Sequence, residues 1–374
     1  MRRIFAYIIL SLICLISTLI LWSKAGMMTV YKHFDGPLYV VVAKSFYDPN
    51  KIKALKLEIP VSKEYFAAHL PVYPFLIKLV SNVKFLGGLP YLKSMVIVNL
   101  LGAMALASFF YWFVQNFKLS KKPLLLATVL IFMPRFLVTR SVGAPESIFM
   151  FFILVSIYFF EKEKFWLSGI FGALATATKT PGILLFGAYT LVFVEKIIVK
   201  HFIDKESHQQ SRIINLNWLG IFLIPIGLLS VFYLYKIQSG DFLAYFHTNA
   251  NVPMPYIFSV FDWQSKWVGT AWLEDVLFYF FFYLLAIFNL KQIKQRSIFY
   301  FSVVFFTAVI FVQHRDISRY SLPLWPMTAI AFEKFFTSKK FLIVFLLLLP
   351  AIYLYAWNFL DYNVMPISNW KSFL

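Results

Sequence analysis

Long apolar runs, separated by short polar breaks, constrain this chain more than any motif in it. A bilayer's hydrocarbon core takes about 20 residues of helix to cross, and only helices or closed barrels satisfy their backbone there. Eleven runs read as candidate spans: roughly 4–23, 94–116, 123–139, 144–160, 165–179, 182–198, 217–236, 271–290, 297–313, 320–336 and 341–357. In 374 residues that leaves no room for a large soluble domain, so 1–374 is read as one all-α, polytopic membrane domain. Hydrophobic residues make up 60% and charged residues 14%, against about 25% charged in soluble proteins. Arg2 and Arg3 precede the first run, but it is long for a signal peptide and Trp22-Ser23-Lys24 is a poor cleavage site. It is therefore read as a retained helix. The single cysteine, Cys14, excludes a disulfide framework, a cysteine zinc site and an iron–sulfur cluster.

The net charge of +18 would suggest nucleic acid in a soluble protein. Its distribution argues otherwise. With a cytoplasmic N-terminus, the short inner segments carry Arg2/Arg3, Lys118/Lys121/Lys122, Lys162/Lys164, Lys196/Lys200/Lys205/Arg212, Lys291/Lys294/Arg296 and Lys334/Lys339/Lys340, which is 17 of the 35 basic residues. Short cytoplasmic loops are enriched in Lys and Arg, so topology accounts for the charge and no nucleic-acid partner is implied. The same placement puts the chemically unusual segments on the outer side: a long loop over 24–93, Arg140 to Glu146, Lys179 to Gly182, a second loop over 238–270, and His314 to Arg319. Inner connections such as Glu161-Lys-Glu-Lys164 read as ordinary solvated loops. A site on the outer face is the consequence.

The 24–93 loop holds two apolar stretches too short to span, following Lys32-His-Phe-Asp35 and Tyr65-Phe-Ala-Ala-His69. Both read as helices lying in the interface plane, with a Lys-rich, mobile stretch at 48–64 between them. Asp35 is placed to cap a helix whose first turn contains Pro37, or to act as a general base that deprotonates a hydroxyl. His69 reads as a substrate contact or a packed side chain. Glu146 suits the start of a helix, where the dipole favours an acid; Arg140 either pairs with it or binds an anion. Lys179, where two helices break, and Arg315 and Arg319, flanking Asp316, are cations suited to phosphate, or else a snorkelling lysine and a salt-bridged loop. No Walker loop, dinucleotide glycine pattern, nucleophile elbow or paired metal-spaced histidines are present, so no cofactor and no metal are expected.

Five of these segments together resemble the GT-C membrane glycosyltransferases, and within them the GPI mannosyltransferase 2 (PIG-V)-like family and its prokaryotic relatives. Phe34-Asp35 followed by Tyr39 is similar to that family's Trp-Asp and later Tyr. Pro71-Val-Tyr73-Pro74 resembles its Pro-Leu-Tyr-Pro, and Ala144-Pro-Glu146-Ser147 its Ser-Pro-Glu-Ser. Thr178-Lys179-Thr-Pro-Gly182 resembles Thr-Arg-x-x-Gly, and Arg319-Tyr-Ser-Leu-Pro resembles Arg-Tyr-x-x-Pro. Phe34, Lys179 and His69 depart from it, standing where the family has Trp, Arg and an aromatic residue.

The resemblance implies a GT-C-like bundle of about 11 transmembrane helices. It also implies a polyprenyl- or dolichyl-phosphate sugar donor, usually mannose, and transfer with inversion to a lipid or glycan acceptor. In that reading Asp35 is the base. Lys179, Arg140, Arg319 and Arg315 meet the donor phosphate, and Tyr39, His69, Tyr73 and Glu146 line the substrate site. Short loops point to a prokaryotic plasma membrane. The alternatives are a lipid-linked-sugar flippase or other transporter, and a non-catalytic partner of another membrane enzyme.

Overall fold

The computed structural model describes residues 2–33, 35–59, 62–83, 88–202, 216–248, 253–262, 269–371 and 373. Phe34, Lys205, Arg212 and the 207–211 stretch lie outside the described residues, as do parts of the 24–93 and 238–270 loops. Among the described residues there is no strand, only an isolated bridge between His33 and Val364. Helix occurs in all eleven apolar runs. Among the described residues, six helices are long and apolar enough to cross a membrane: Arg3–Ala25, Tyr91–Asn116, Thr180–Ile198, Leu216–Ser239, Trp272–Leu290 and Lys339–Tyr362. The protein is an all-α, multi-pass integral membrane protein.

Proline accounts for most departures from eleven plain spans. The run at 123–139 is two helices, Pro123–Ile131 and Pro134–Thr139, because Pro134 has no N–H to continue the first and instead starts the second. The run at 320–336 is divided among Ile317–Tyr320, a 3₁₀ turn at Leu322–Leu324, Trp325–Ala331 and Glu333–Phe336, with Pro323 and Pro326 at the breaks.

The chain forms two compact units, residues 1–151, 230–252 and 332–374 in the first and 152–229 and 253–331 in the second. In the first, the opening helix Arg2–Ala25 runs antiparallel to Tyr91–Asn116: Tyr7 packs edge-on against Tyr111 at 5.8 Å. At its far end the Trp22 indole donates to the Ser141 carbonyl at 2.7 Å, and Trp357 of the last helix donates to the Leu21 carbonyl at 3.2 Å. That end of the unit therefore gathers Ala25, the loop before Glu146 and the close of Lys339–Tyr362. The opposite end is tied by the Ser120 hydroxyl to Glu333 at 2.6 Å and by the Lys122 ammonium to the Thr337 carbonyl at 2.8 Å.

Arg140 anchors this unit from inside. It is fully buried, and its guanidinium donates to the Thr18 and Ser17 hydroxyls at 2.7 Å each, the Cys14 carbonyl at 3.3 Å and the Ile131 carbonyl at 3.1 Å. These bonds go to the first helix and to the end of Pro123–Ile131. None goes to Glu146.

Two expectations for the long loop need correction. The helix Gly36–Ser45 is buried at nearly every position, not half-sunk in an interface, because GPLYVVVA is apolar all round and has no polar face to present. The stretch from 48 is not wholly loose either: Asp48 accepts from the amides of Asn50 and Lys51 at 2.9 and 3.3 Å and starts the helix Pro49–Ala54.

In the second unit, Phe165–Thr178 and Leu184–Phe202 are separated by the 3₁₀ turn Thr180–Ile183. A Cβ at Gly182 would lie 2.4 Å from the Thr176 amide nitrogen, so only glycine lets the turn fold back on the helix it leaves. One end of this unit is a charged clamp, with Arg296 bidentate on Glu195 at 2.7–3.1 Å and Glu161 accepting from the Ser297 amide at 2.9 Å. The Glu161–Lys164 connection is therefore an anchor as well as a loop, since Glu161 satisfies an amide that the start of Arg296–Val309 leaves without a helical partner.

Two outcomes follow from these contacts. Arg140→Leu removes the donors that satisfy two hydroxyls and two carbonyls, which is expected to cost roughly 1–3 kcal/mol and to lower the thermal midpoint in detergent by at least about 3 °C. In a Cys14→Ser background, Lys371→Cys and Lys121→Cys are expected to react with a membrane-impermeant maleimide from opposite sides of sealed vesicles, because they lie at opposite ends of the first unit.

Candidate active site

Asp35 stands at the N-cap position of Gly36–Ser45, and its carbonyl accepts from the Leu38 and Tyr39 amides at 3.1 and 3.4 Å. Its side chain makes no capping bond to the helix. Of the two roles open in the sequence, the carboxylate does not serve as a side-chain cap, and it is half-buried rather than solvated.

The turn carrying Asp35 is pressed against the loop that leads to Glu146. A Cβ at Gly143 would lie 2.2 Å from the Met95 sulfur and 2.8 Å from the Gly36 Cα, so the two backbones meet with no room for a side chain. Asn99, buried on Tyr91–Asn116, holds the same loop by donating to the Thr139 and Val142 carbonyls at 2.6 Å each. Glu146 then opens the helix Glu146–Glu161 and is 1% exposed.

One turn along from Asp35, Tyr39 sits edge-on to both His69 and Tyr73, at 4.7 and 5.0 Å between ring centroids. Tyr65 adds a further edge contact to His69 at 5.5 Å. The Tyr73 hydroxyl donates to the Met95 carbonyl at 2.9 Å. Burial, and after it the negative charge of Glu146, push the Tyr73 phenol well above its ordinary pKa. The structure thus brings together Tyr39, His69, Tyr73 and Glu146 around the helix that Asp35 begins. Behind them, Tyr47 donates to the His69 carbonyl at 2.6 Å and Tyr235 to the Ala67 carbonyl at 2.8 Å, which fixes the 3₁₀ segment Lys63–Ala68 from below.

Arg140 is structurally occupied, as described above. The remaining sequence-predicted cations belong to the second unit. Lys179 is extended, at φ −149° and ψ 135°, and its ammonium lies 5.8 Å from the centroid of the Tyr320 ring. Arg319 is half-buried and precedes Tyr320 on the short helix Ile317–Tyr320, while Arg315 is exposed. Asp316 accepts from the Ser318 hydroxyl at 3.2 Å, and its amide donates to His314 Nδ1 at 3.0 Å. Lys179 and the 314–320 segment, distant in sequence, therefore meet at the Tyr320 ring.

Sequence reasoning missed Asn99, His33 and Arg135. An asparagine in the middle of an apolar helix is itself a signal, since a polar side chain at membrane depth must have a partner. Arg135 is 1% exposed and stacks on Phe359 at 3.9 Å. Among the described residues, no three His, Cys, Asp or Glu side chains are placed to hold a metal ion together.

No protein-family model and no curated protein matches the sequence. Solved structures do match the fold. ArnT from Cupriavidus metallidurans, crystallised with undecaprenyl phosphate, superposes over 86% of this chain and 58% of its own, with a TM-score of 0.53 and 12% identity. The Archaeoglobus fulgidus oligosaccharyltransferase, tethered to an acceptor peptide, superposes over 99% and 56%, with a TM-score of 0.54 and 13% identity. The chain spans less than two thirds of either protein. At such identities the likeness is one of fold alone.

Proposed function

We infer that this protein is a membrane glycosyltransferase. It moves a sugar from a polyprenyl-phosphate-linked donor to an acceptor hydroxyl on a lipid or glycan, with inversion at the anomeric carbon. The observation that carries this reading is the state of Asp35: a half-buried carboxylate at the start of a buried helix, making no cap, beside a group of Tyr, His and Glu side chains. A carboxylate so held suits a general base that takes the proton of the attacking hydroxyl. The fold shared with ArnT, whose structure contains undecaprenyl phosphate, supports a lipid-linked donor.

In this reading the sugar is mannose, as the PIG-V-like resemblance suggests, and the site faces the outer side of a prokaryotic plasma membrane. Tyr39, His69, Tyr73 and Glu146 shape the pocket in which the acceptor meets the base. Lys179 and Arg319 are assigned to the donor's phosphate, where negative charge builds as the glycosidic bond breaks. Arg315, which is exposed, is given the lesser share of that role. Arg140 is given none, because its guanidinium is already bonded within the first unit.

The test uses purified protein in lipid with radiolabelled polyprenyl-phosphate mannose and a crude lipid and glycan extract as acceptor. Asp35→Asn is expected to lower kcat by roughly 10²–10⁴-fold with the thermal midpoint unchanged. Lys179→Ala and Arg319→Ala are each expected to weaken transfer by about tenfold or more, chiefly through kcat/KM for the donor. Equal transfer by wild type and Asp35→Asn removes Asp35 from the mechanism. Sugar movement across vesicles without transfer, unaffected by Asp35→Asn, would replace the enzyme with a transporter.

A further inference from the structure

The residues after the last helix are not a loose tail. Lys339–Tyr362 ends at Asn363, and the chain then folds back onto the segment that precedes Asp35. Val364 pairs with His33 in an antiparallel bridge, and the Met365 amide donates to the Lys32 carbonyl at 2.8 Å. Met365, Ile367 and Phe373 are buried. The Ser368 hydroxyl donates to Glu58 at 2.7 Å, and the Lys32 ammonium lies 5.3 Å from the centroid of the Trp370 ring.

His33 is where these contacts meet the site. It is 2% exposed, with the Asn363 side-chain amide 3.5 Å from its Nε2 and the Phe359 ring at 6.0 Å. In the other direction, its carbonyl accepts the Gly36 amide at 2.9 Å and so ties down the turn at Asp35. The backbone of Asp35 is thus fixed from His33, and His33 is fixed from the C-terminal segment.

We propose that residues 363–371 act as a strap that holds the Asp35 turn in its working geometry, with His33 as a positioning residue for transfer. The proposal rests on the reading of Asp35 as the base. A misplacement of about 1 Å costs a reaction on the order of 10²-fold, so a loosened turn should lower kcat and leave donor binding nearly intact. His33 touches no reacting atom in this account; it acts through the turn.

The experiment compares the full chain in lipid with a deletion of residues 364–374, with His33→Ala and with His33→Gln. Amide hydrogen exchange is followed over residues 30–45, and kcat and donor KM are measured with polyprenyl-phosphate mannose. Expected in the deletion and in His33→Ala are exchange about tenfold faster at Gly36–Tyr39 and kcat at least about tenfold lower, with donor KM within about twofold. His33→Gln, which keeps a hydrogen-bonding side chain, is expected to recover most of both losses. Unchanged exchange at Gly36–Tyr39 in both variants overturns the strap, whatever the activity shows. Faster exchange with unchanged kcat overturns its positioning role. If the full chain transfers no sugar from any lipid-linked donor, the glycosyltransferase reading fails by itself, and exchange still decides whether the strap holds the turn. If the deletion does not fold, His33→Ala carries the same two measurements.

Discussion

A guanidinium sealed among helices has no water to fall back on, so its hydrogen-bonding demands determine what packs around it. Arg140 meets that demand with two hydroxyls and two carbonyls drawn from the first helix and from Pro123–Ile131. Its own backbone belongs to the short loop that leads to Glu146. The side chain therefore pins that loop to the opening helix, and the loop in turn meets the Asp35 turn through Gly143 and Gly36, where no side chain fits. The Asp35 turn is thus tied, through this loop, to a buried cation. An arginine suits this role better than a lysine, because its planar fork donates in several fixed directions at once.

Much of this was legible in the sequence, for reasons that can be named. Helix positions followed from apolar length, and among the described residues six of those helices are long and apolar enough to cross a membrane. The association of Tyr39, His69, Tyr73 and Glu146 was legible only as a set of ordered motifs, and the rings do meet at 4.7–5.0 Å. What the sequence could not show was how a residue type is used. Arg140 and Lys179 look alike as cations beside helix breaks, yet one is sealed among helices and the other faces an aromatic ring. Local sequence sets charge and propensity; only long-range packing decides which charges are already satisfied.

The helix that Asp35 begins shows a second limit. Its residues read as interfacial because the run is too short to span a membrane. Length distinguishes a span from a non-span, but it does not separate a helix lying on the surface from one buried in the protein. The missing signal was the absence of a polar face. A helix with apolar residues on every side must be covered on every side, and here Val72–Ser81, Tyr91–Asn116 and Lys63–Ala68 contribute to that cover.

That cover bears on how such a site can work. A base that removes a proton only as the acceptor attacks gains from being held in place before substrate arrives, since ordering it later would raise the barrier. In the first unit the Asp35 turn is held from three directions distant in sequence: the Gly143 loop, the Tyr39–His69–Tyr73 group and the Val364–Met365 segment. Each contributes backbone or ring contacts and leaves the helix's first turn without a side-chain cap. An aspartate used as a cap would be locked by its own helix and weakened as a base by the amides it accepted. Holding the turn through its neighbours instead fixes the backbone without a side-chain cap.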